Sequence, residues 1–140
     1  MNAEHTPGQG PDQSLKVLID EFAALEGRQP RVMVCRRRSS SDESKINSIA
    51  VNLAGYGFDV DIGIPFESSE KLGMNAIEND TDALVLLGLD INPDENFISE
   101  LQALLSSKGY SDLLILYRDN DINVSNLYNR LENWLREELR

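Results

Sequence analysis

From Ser14 the apolar residues Leu15, Leu18, Ile19, Phe22 and Leu25 recur at helical spacing and Gly27 supplies a stop, so the pattern predicts an amphipathic first helix. Arg31 to Cys35 follows with the apolar run Val32, Met33 and Val34, which has the length and β-branching of a buried strand. Ile46, Ile49, Ala50 and Leu53 make the next helical stripe, and Gly55 and Gly57 end it before a strand at Phe58 to Ile62. Three more helical stripes and two more apolar runs complete the chain. Leu72, Ala76 and Ile77 lie on a helix between Ser68 and Ile77, and Ala83 to Leu87 is a continuous apolar run. Phe97, Ile98, Leu101, Leu104 and Leu105 precede a strand at Leu113 to Leu116, and Val124, Leu127, Tyr128, Leu131, Trp134 and Leu135 form the last stripe.

Strands without in/out alternation, each separated by a helix, predict a doubly wound α/β domain: a parallel sheet of four strands flanked by helices on both faces. In such a sheet the ligand crevice lies at the carboxyl ends of the strands, where strand order reverses. For the order 2-1-3-4 that switch falls between the first and third strands, which points to the loops Arg36 to Asp42 and Gly88 to Asp94. Pro7, Gly8, Gly10 and Pro11 punctuate a polar start, so residues 1–13 read as a flexible leader and 14–140 as a single domain.

Charge and composition narrow the function classes. The formal net charge of -11 repels phosphate backbones and anionic bilayers, so nucleic acid and membrane are not expected partners. No apolar stretch approaches the roughly 20 residues of a membrane span, and the start lacks the apolar core of a secretory signal, which places the expectation in the cytoplasm. One cysteine, Cys35, cannot form an internal disulfide, and one histidine, His5, cannot build a multi-imidazole metal site, so no metal is expected.

The most unusual local feature is Arg36-Arg37-Arg38-Ser39-Ser40-Ser41, three arginines at the expected mouth of the crevice on an acidic chain. Guanidinium groups before a hydroxyl-rich helix start can hold a phosphate or carboxylate, which makes an anion or partner contact through Arg36, Arg37, Arg38 and Ser39 one reading. The plainer reading is structural: Ser40 and Glu43 have the spacing of a capping box, and the arginines balance Asp90, Asp94, Asp119 and Asp121 in neighbouring loops. Asp90 to Asp94 and Asp119 to Asn123 space oxygen atoms as a calcium loop does but lack its glycine and terminal glutamate; Asn92 as cap and Pro93 as first helical residue explain the first. Cys35 reads as a packed small side chain. No nucleophile, base and orienting group can be assembled, so the chain is not expected to be an enzyme on its own.

From Pro30 to about Tyr117 the chain resembles the cobalamin-binding domain of methylmalonyl-CoA mutase and related acyl-CoA mutases, a flavodoxin-like fold. The likeness is densest in Gly57-Phe58-Asp59-Val60-Asp61, Gly63, Phe66 and Ala76-Ile77-Glu78-Asn79-Asp80. The resemblance implies an Asp-x-His-x-x-Gly loop after the first strand whose imidazole binds cobalt, but those positions hold Ser40, Asp42 and Lys45. A carboxylate is a harder ligand than imidazole, and the aspartate that would orient a histidine is missing too. The family's Ser-x-Leu after the third strand is Leu87-Gly88-Leu89, and its Gly-Gly after the fourth is Arg118-Asp119, which would fill the slot for the cofactor's tail. The fifth strand is deleted or reduced to Ile122-Asn123-Val124, leaving the fourth as an edge to be covered by the last helix or by a second chain.

The expectation is a non-catalytic, degenerate member of that family without a bound cofactor, docking on a mutase-type catalytic subunit or pairing with itself through the fourth-strand edge or last helix. The first alternative is a cobalamin-binding small subunit of an acyl-CoA mutase, an isomerase, that holds the cofactor without a histidine. The second is an anion sensor working through Arg36 to Arg38.

Overall fold

A computed structural model describes residues 10–89, 91–117 and 124–140; at 10–13, 91–95 and 124–125 only the backbone is described. Nine elements alternate: α1 (Gly10–Glu26), β1 (Arg31–Arg36), α2 (Glu43–Tyr56), β2 (Asp59–Ile62), α3 (Ser69–Glu78), β3 (Ala83–Leu87), α4 (Ile91–Ser107), β4 (Leu114–Tyr117) and α5 (Val124–Glu138). The strands pair in parallel in the order β2-β1-β3-β4, with Val32 opposite both Val60 and Ala83 and Ala83 opposite Leu114. The four-stranded doubly wound sheet is as the apolar pattern predicts, and its order is the 2-1-3-4 from which the switch point was located.

The two faces of the sheet carry separate cores. Val32, Val34, Ala83, Val85 and Leu116 pack with Leu15, Ile19, Phe22, Leu53, Leu131 and Leu135, which puts α1, α2 and α5 on one face. Met33, Cys35, Leu84 and Leu86 pack with Leu72, Ala76, Leu101 and Leu105, which puts α3 and α4 on the other. All five residues of β3 are buried, as a central strand covered on both faces must be. The apolar stripe of α5 is spent inside the chain: Leu127, Tyr128, Leu131 and Leu135 are buried, and Tyr128 meets Tyr56 edge-on at 4.8 Å.

Three element starts differ from the sequence reading. The first helix begins at Gly10 rather than Ser14; Pro11 sits in the first turn, where its missing N–H costs no helical bond. Met1 to Gln9, with His5, lie outside the described residues. The fourth helix begins at Ile91, ahead of Asn92 and Pro93, for the same reason. At α2 the expected capping box does not form. Asp42 is the residue before the helix and caps it with no side-chain bond, while Ser40 is held in a turn by its own N–H to the Arg37 carbonyl at 2.9 Å. The reduced fifth strand expected at Ile122-Asn123-Val124 falls largely outside the described residues, and α5 already includes Val124.

At the amino ends of the strands, the Asp82 carboxylate gathers three donors. Arg28 reaches it in two bonds of 2.7 and 3.0 Å, and the Arg31 amide donates at 2.8 Å, tying the α1–β1 turn to the start of β3. At the carboxyl ends, Gly63 leaves β2 against β1 so closely that a Cβ there would collide with Cys35 Sγ and stand 2.9 Å from Met33 Sδ. Gly63→Ala should therefore destabilise the fold by about 1–3 kcal/mol in urea melts, and Cys35→Ala combined with it should recover part of that loss. Additive losses in the double variant would contradict this packing.

Candidate functional site

The switch point lies between β1 and β3, and the chain's own first loop crosses it. Arg37 donates its N–H to the Leu87 carbonyl at 2.9 Å on the β3 side. On the β2 side Phe66 donates to the Arg36 carbonyl at 3.0 Å and Arg38 donates to the Phe66 carbonyl at 2.8 Å, so Arg37 and Phe66 form a parallel bridge beyond the end of β2. The loop thus continues the sheet past its expected end, bonded to both neighbours.

Side chains reinforce this closure. The Arg36 guanidinium Nη1 donates to the carbonyl oxygens of Arg37, Arg38 and Ser40 at 3.5, 3.3 and 3.1 Å, folding the loop back on its own strand. Arg38 pairs with Glu67 at 3.3 Å, an exposed contact worth little in stability but enough to occupy the cation. The loop then rests on Gly88, whose φ of 90° suits glycine; a Cβ there would stand 2.9 Å from Arg37 Cβ and 3.0 Å from Ser40 Cβ.

The sequence-derived positions scatter around this closure. Ser40 is half-buried with an Oγ that lacks a hydrogen-bond partner among the described residues, Asp42 is half-buried at the start of α2, and Lys45 and Ser39 are exposed. Leu87 and Leu89 do not line a crevice: they are 3% and 1% exposed and pack into opposite cores. Arg118, Asp90 and Asp119 to Asn123 lie outside the described residues, as do the side chains of Asn92 to Asp94, so the balancing of Arg36 to Arg38 by those acids lies outside them too. What the sequence reading missed is the Arg37–Phe66 bridge; its signal was Phe66, an aromatic three residues after Gly63, now 3% exposed.

Other surfaces were not visible from the sequence. A groove of about 400 Å³ runs beside α3, lined by Ile64, Phe66, Met74, Glu70 and Glu78. Among the described residues no group of three or more histidine, cysteine or acidic side chains is placed to hold a metal ion, and no helix is long and apolar enough to cross a membrane.

No protein-family model matches the chain. It is 32% identical over 100 residues to the methylmalonyl-CoA mutase large subunit of Porphyromonas gingivalis, which covers 71% of this chain and 14% of that one. The methylmalonyl-CoA mutase of Cereibacter sphaeroides is 30% identical over 98 residues, 70% of this chain and 14% of that protein. The mitochondrial methylmalonyl-CoA mutase of Homo sapiens is 30% identical over 98 residues, 70% of this chain and 13% of that one. The chain therefore spans about one seventh of the length of these relatives. Among solved structures, a novel cobalamin-binding protein from Desulfitobacterium hafniense superposes with a TM-score of 0.51 at 15% identity, over 91% of this chain and 62% of that one, a likeness of fold.

Cys35, at the end of β1 beneath the loop, is fully buried, and burial pushes its thiol up to about 12, against any lowering by Arg36. At pH 8 it should react with a disulfide reagent only as fast as the chain unfolds globally, and labelling much faster than unfolding would show that the loop opens on its own.

Proposed function

We propose that this chain, a relative of the cobalamin-binding domain of the methylmalonyl-CoA mutase family, is a non-catalytic cytoplasmic subunit that retains the scaffold without the cofactor and acts by docking on another subunit. The observation that carries this reading is the closed first loop. Cobalamin held base-off, as the resemblance implies, needs an open carboxyl edge and a nitrogen ligand from the protein; here Arg37 and Ser40 press on Gly88, and the position that the resemblance assigns to the ligand is Asp42 at the start of α2. The described residues include no histidine. The residues present do not fit the cofactor.

The docking surface follows from what the fold has already used. The stripe of α5 is buried against the chain's own core, so the last helix no longer offers it to a partner. The edge of β4, with Leu114, Ile115 and Tyr117 half-buried, pairs with β3 alone among the described residues and leaves backbone groups for a mutase-type catalytic subunit or a second copy. No catalytic role is assigned to any residue.

A second reading, a small subunit of an acyl-CoA mutase holding cobalamin without a histidine, is favoured by the identity to mutases over 70% of the chain. An anion sensor through Arg36 to Arg38 gains less, since Arg36 and Arg38 already donate inside the chain. Equilibrium dialysis against hydroxocobalamin and adenosylcobalamin, with the visible spectrum recorded, separates the first two, because a corrinoid held base-on is retained without a base-off shift. No corrinoid should be retained and the purified protein should be colourless and free of cobalt; retention with micromolar affinity, a base-off shift, or co-purified cobalt at one per chain would overturn the proposal.

A further inference from the structure

The two edges of the sheet are built differently. β2 is guarded: Asp59 and Asp61 put two carboxylates into its four residues, the Asn75 side chain accepts the Ile64 N–H at 3.3 Å, and Pro65 has no N–H to offer. β4 has none of these devices among the described residues. From Leu113 to Tyr117 the sequence is Leu-Leu-Ile-Leu-Tyr, without a charge or a proline.

The pairing of β4 with β3 shows which of its backbone groups are used. The Leu114 N–H donates to the Asp82 carbonyl at 3.1 Å, and Leu114 and Leu116 stand opposite Ala83 and Val85, so the peptide groups of Leu114 and Leu116 turn to β3. The N–H and C=O groups of Ile115 and Tyr117 turn outward, with no partner among the described residues. Beside them on the α4 face lies a groove of about 450 Å³ lined by Leu105, Tyr110, Leu113 and Ile115.

Charge selects what covers this edge. The chain carries -11, so two copies repel over most of their surface, and joined through β2 they would bring together two aspartates from each. At β4 the strands of two copies meet with no charged side chain between them. The outward groups also complement themselves. In an antiparallel pair turned about Leu116, Ile115 lies opposite Tyr117 of the second copy, and each such pair exchanges an N–H and a C=O in both directions.

We propose that β4 is covered by β4 of a second copy, in an antiparallel pair centred on Leu116 that joins the two sheets into one. This deepens the docking edge described above and rests on that reading. Ile115 of each copy then packs on Tyr117 of the other, a β-branched and aromatic cross-strand pair, with the ring beside the groove.

Sedimentation equilibrium of the full chain should give twice the 15.7 kDa of one chain. Ile115→Lys, which sets a charge on the edge, should weaken the dimer by about tenfold or more with the circular dichroism of the fold kept. Hydrogen exchange needs no variant: the Ile115 and Tyr117 amides should be protected in the dimer and lose that protection on dilution to monomer, whereas the Leu116 amide, turned to β3, stays protected in both. A chain that is monomeric up to millimolar concentration would overturn the proposal, as would a dimer in which the Ile115 and Tyr117 amides exchange freely. A monomer that retains no corrinoid overturns the pairing and leaves the cofactor-free reading standing; a dimer that retains corrinoid does the reverse.

Discussion

The functional reading rests on where the backbone of the first loop makes its hydrogen bonds. In a doubly wound sheet the strands normally part at the switch point, and the amides just beyond them are left for a ligand. In this chain Arg37 and Arg38 continue the ladder to Leu87 on one side and Phe66 on the other, and the Arg36 guanidinium gathers the carbonyls that remain. Backbone groups satisfied within the chain have no residual demand for a partner. Gly88 permits this closure, because with no Cβ it lets Arg37 and Ser40 settle onto the end of β3.

The same architecture separates the two ends of the molecule electrically. Parallel strands with antiparallel helices collect helix amino ends at the carboxyl edge and helix carboxyl ends at the amino edge. The three arginines sit at the first edge and the unpaired acids Asp112 and Glu138 at the second. The arginines therefore share an edge with the positive ends of the helices; the Arg36 guanidinium turns to loop carbonyls and that of Arg38 to Glu67. At the amino edge Asp82 has recruited Arg28 and Asp80 pairs with Arg31, whereas Asp112 and Glu138 have no ion-pair partner among the described residues. Net charge alone, at -11, conceals this division.

Much of the fold was legible because burial on both faces leaves an unbroken apolar run, as at Ala83 to Leu87, and burial on one face leaves a helical stripe, as in α5. Element starts were less so: Pro11 and Pro93 look like boundaries in a sequence, but the first turn of a helix tolerates proline. The resemblance to mutase domains identified the first loop as the place where the site departs from its relatives. It did not show that Leu89 would be a core residue, nor that Ser40 would sit in a turn rather than cap α2, since the Ser40 turn closes on the Arg37 carbonyl and the Arg36 guanidinium gathers the Ser40 carbonyl. Contacts between distant segments, such as Phe66 with Arg37 or Arg28 with Asp82, leave no local pattern to read.

Native-state amide hydrogen exchange tests the loop most directly. If the carboxyl edge is closed by the chain itself, the amides of Arg37, Arg38 and Phe66 should exchange nearly as slowly as those of β1 and β3, with opening free energies close to that of global unfolding. Exchange of these three at the rate of an unstructured loop, while the strands stay protected, would show an open edge and contradict the account.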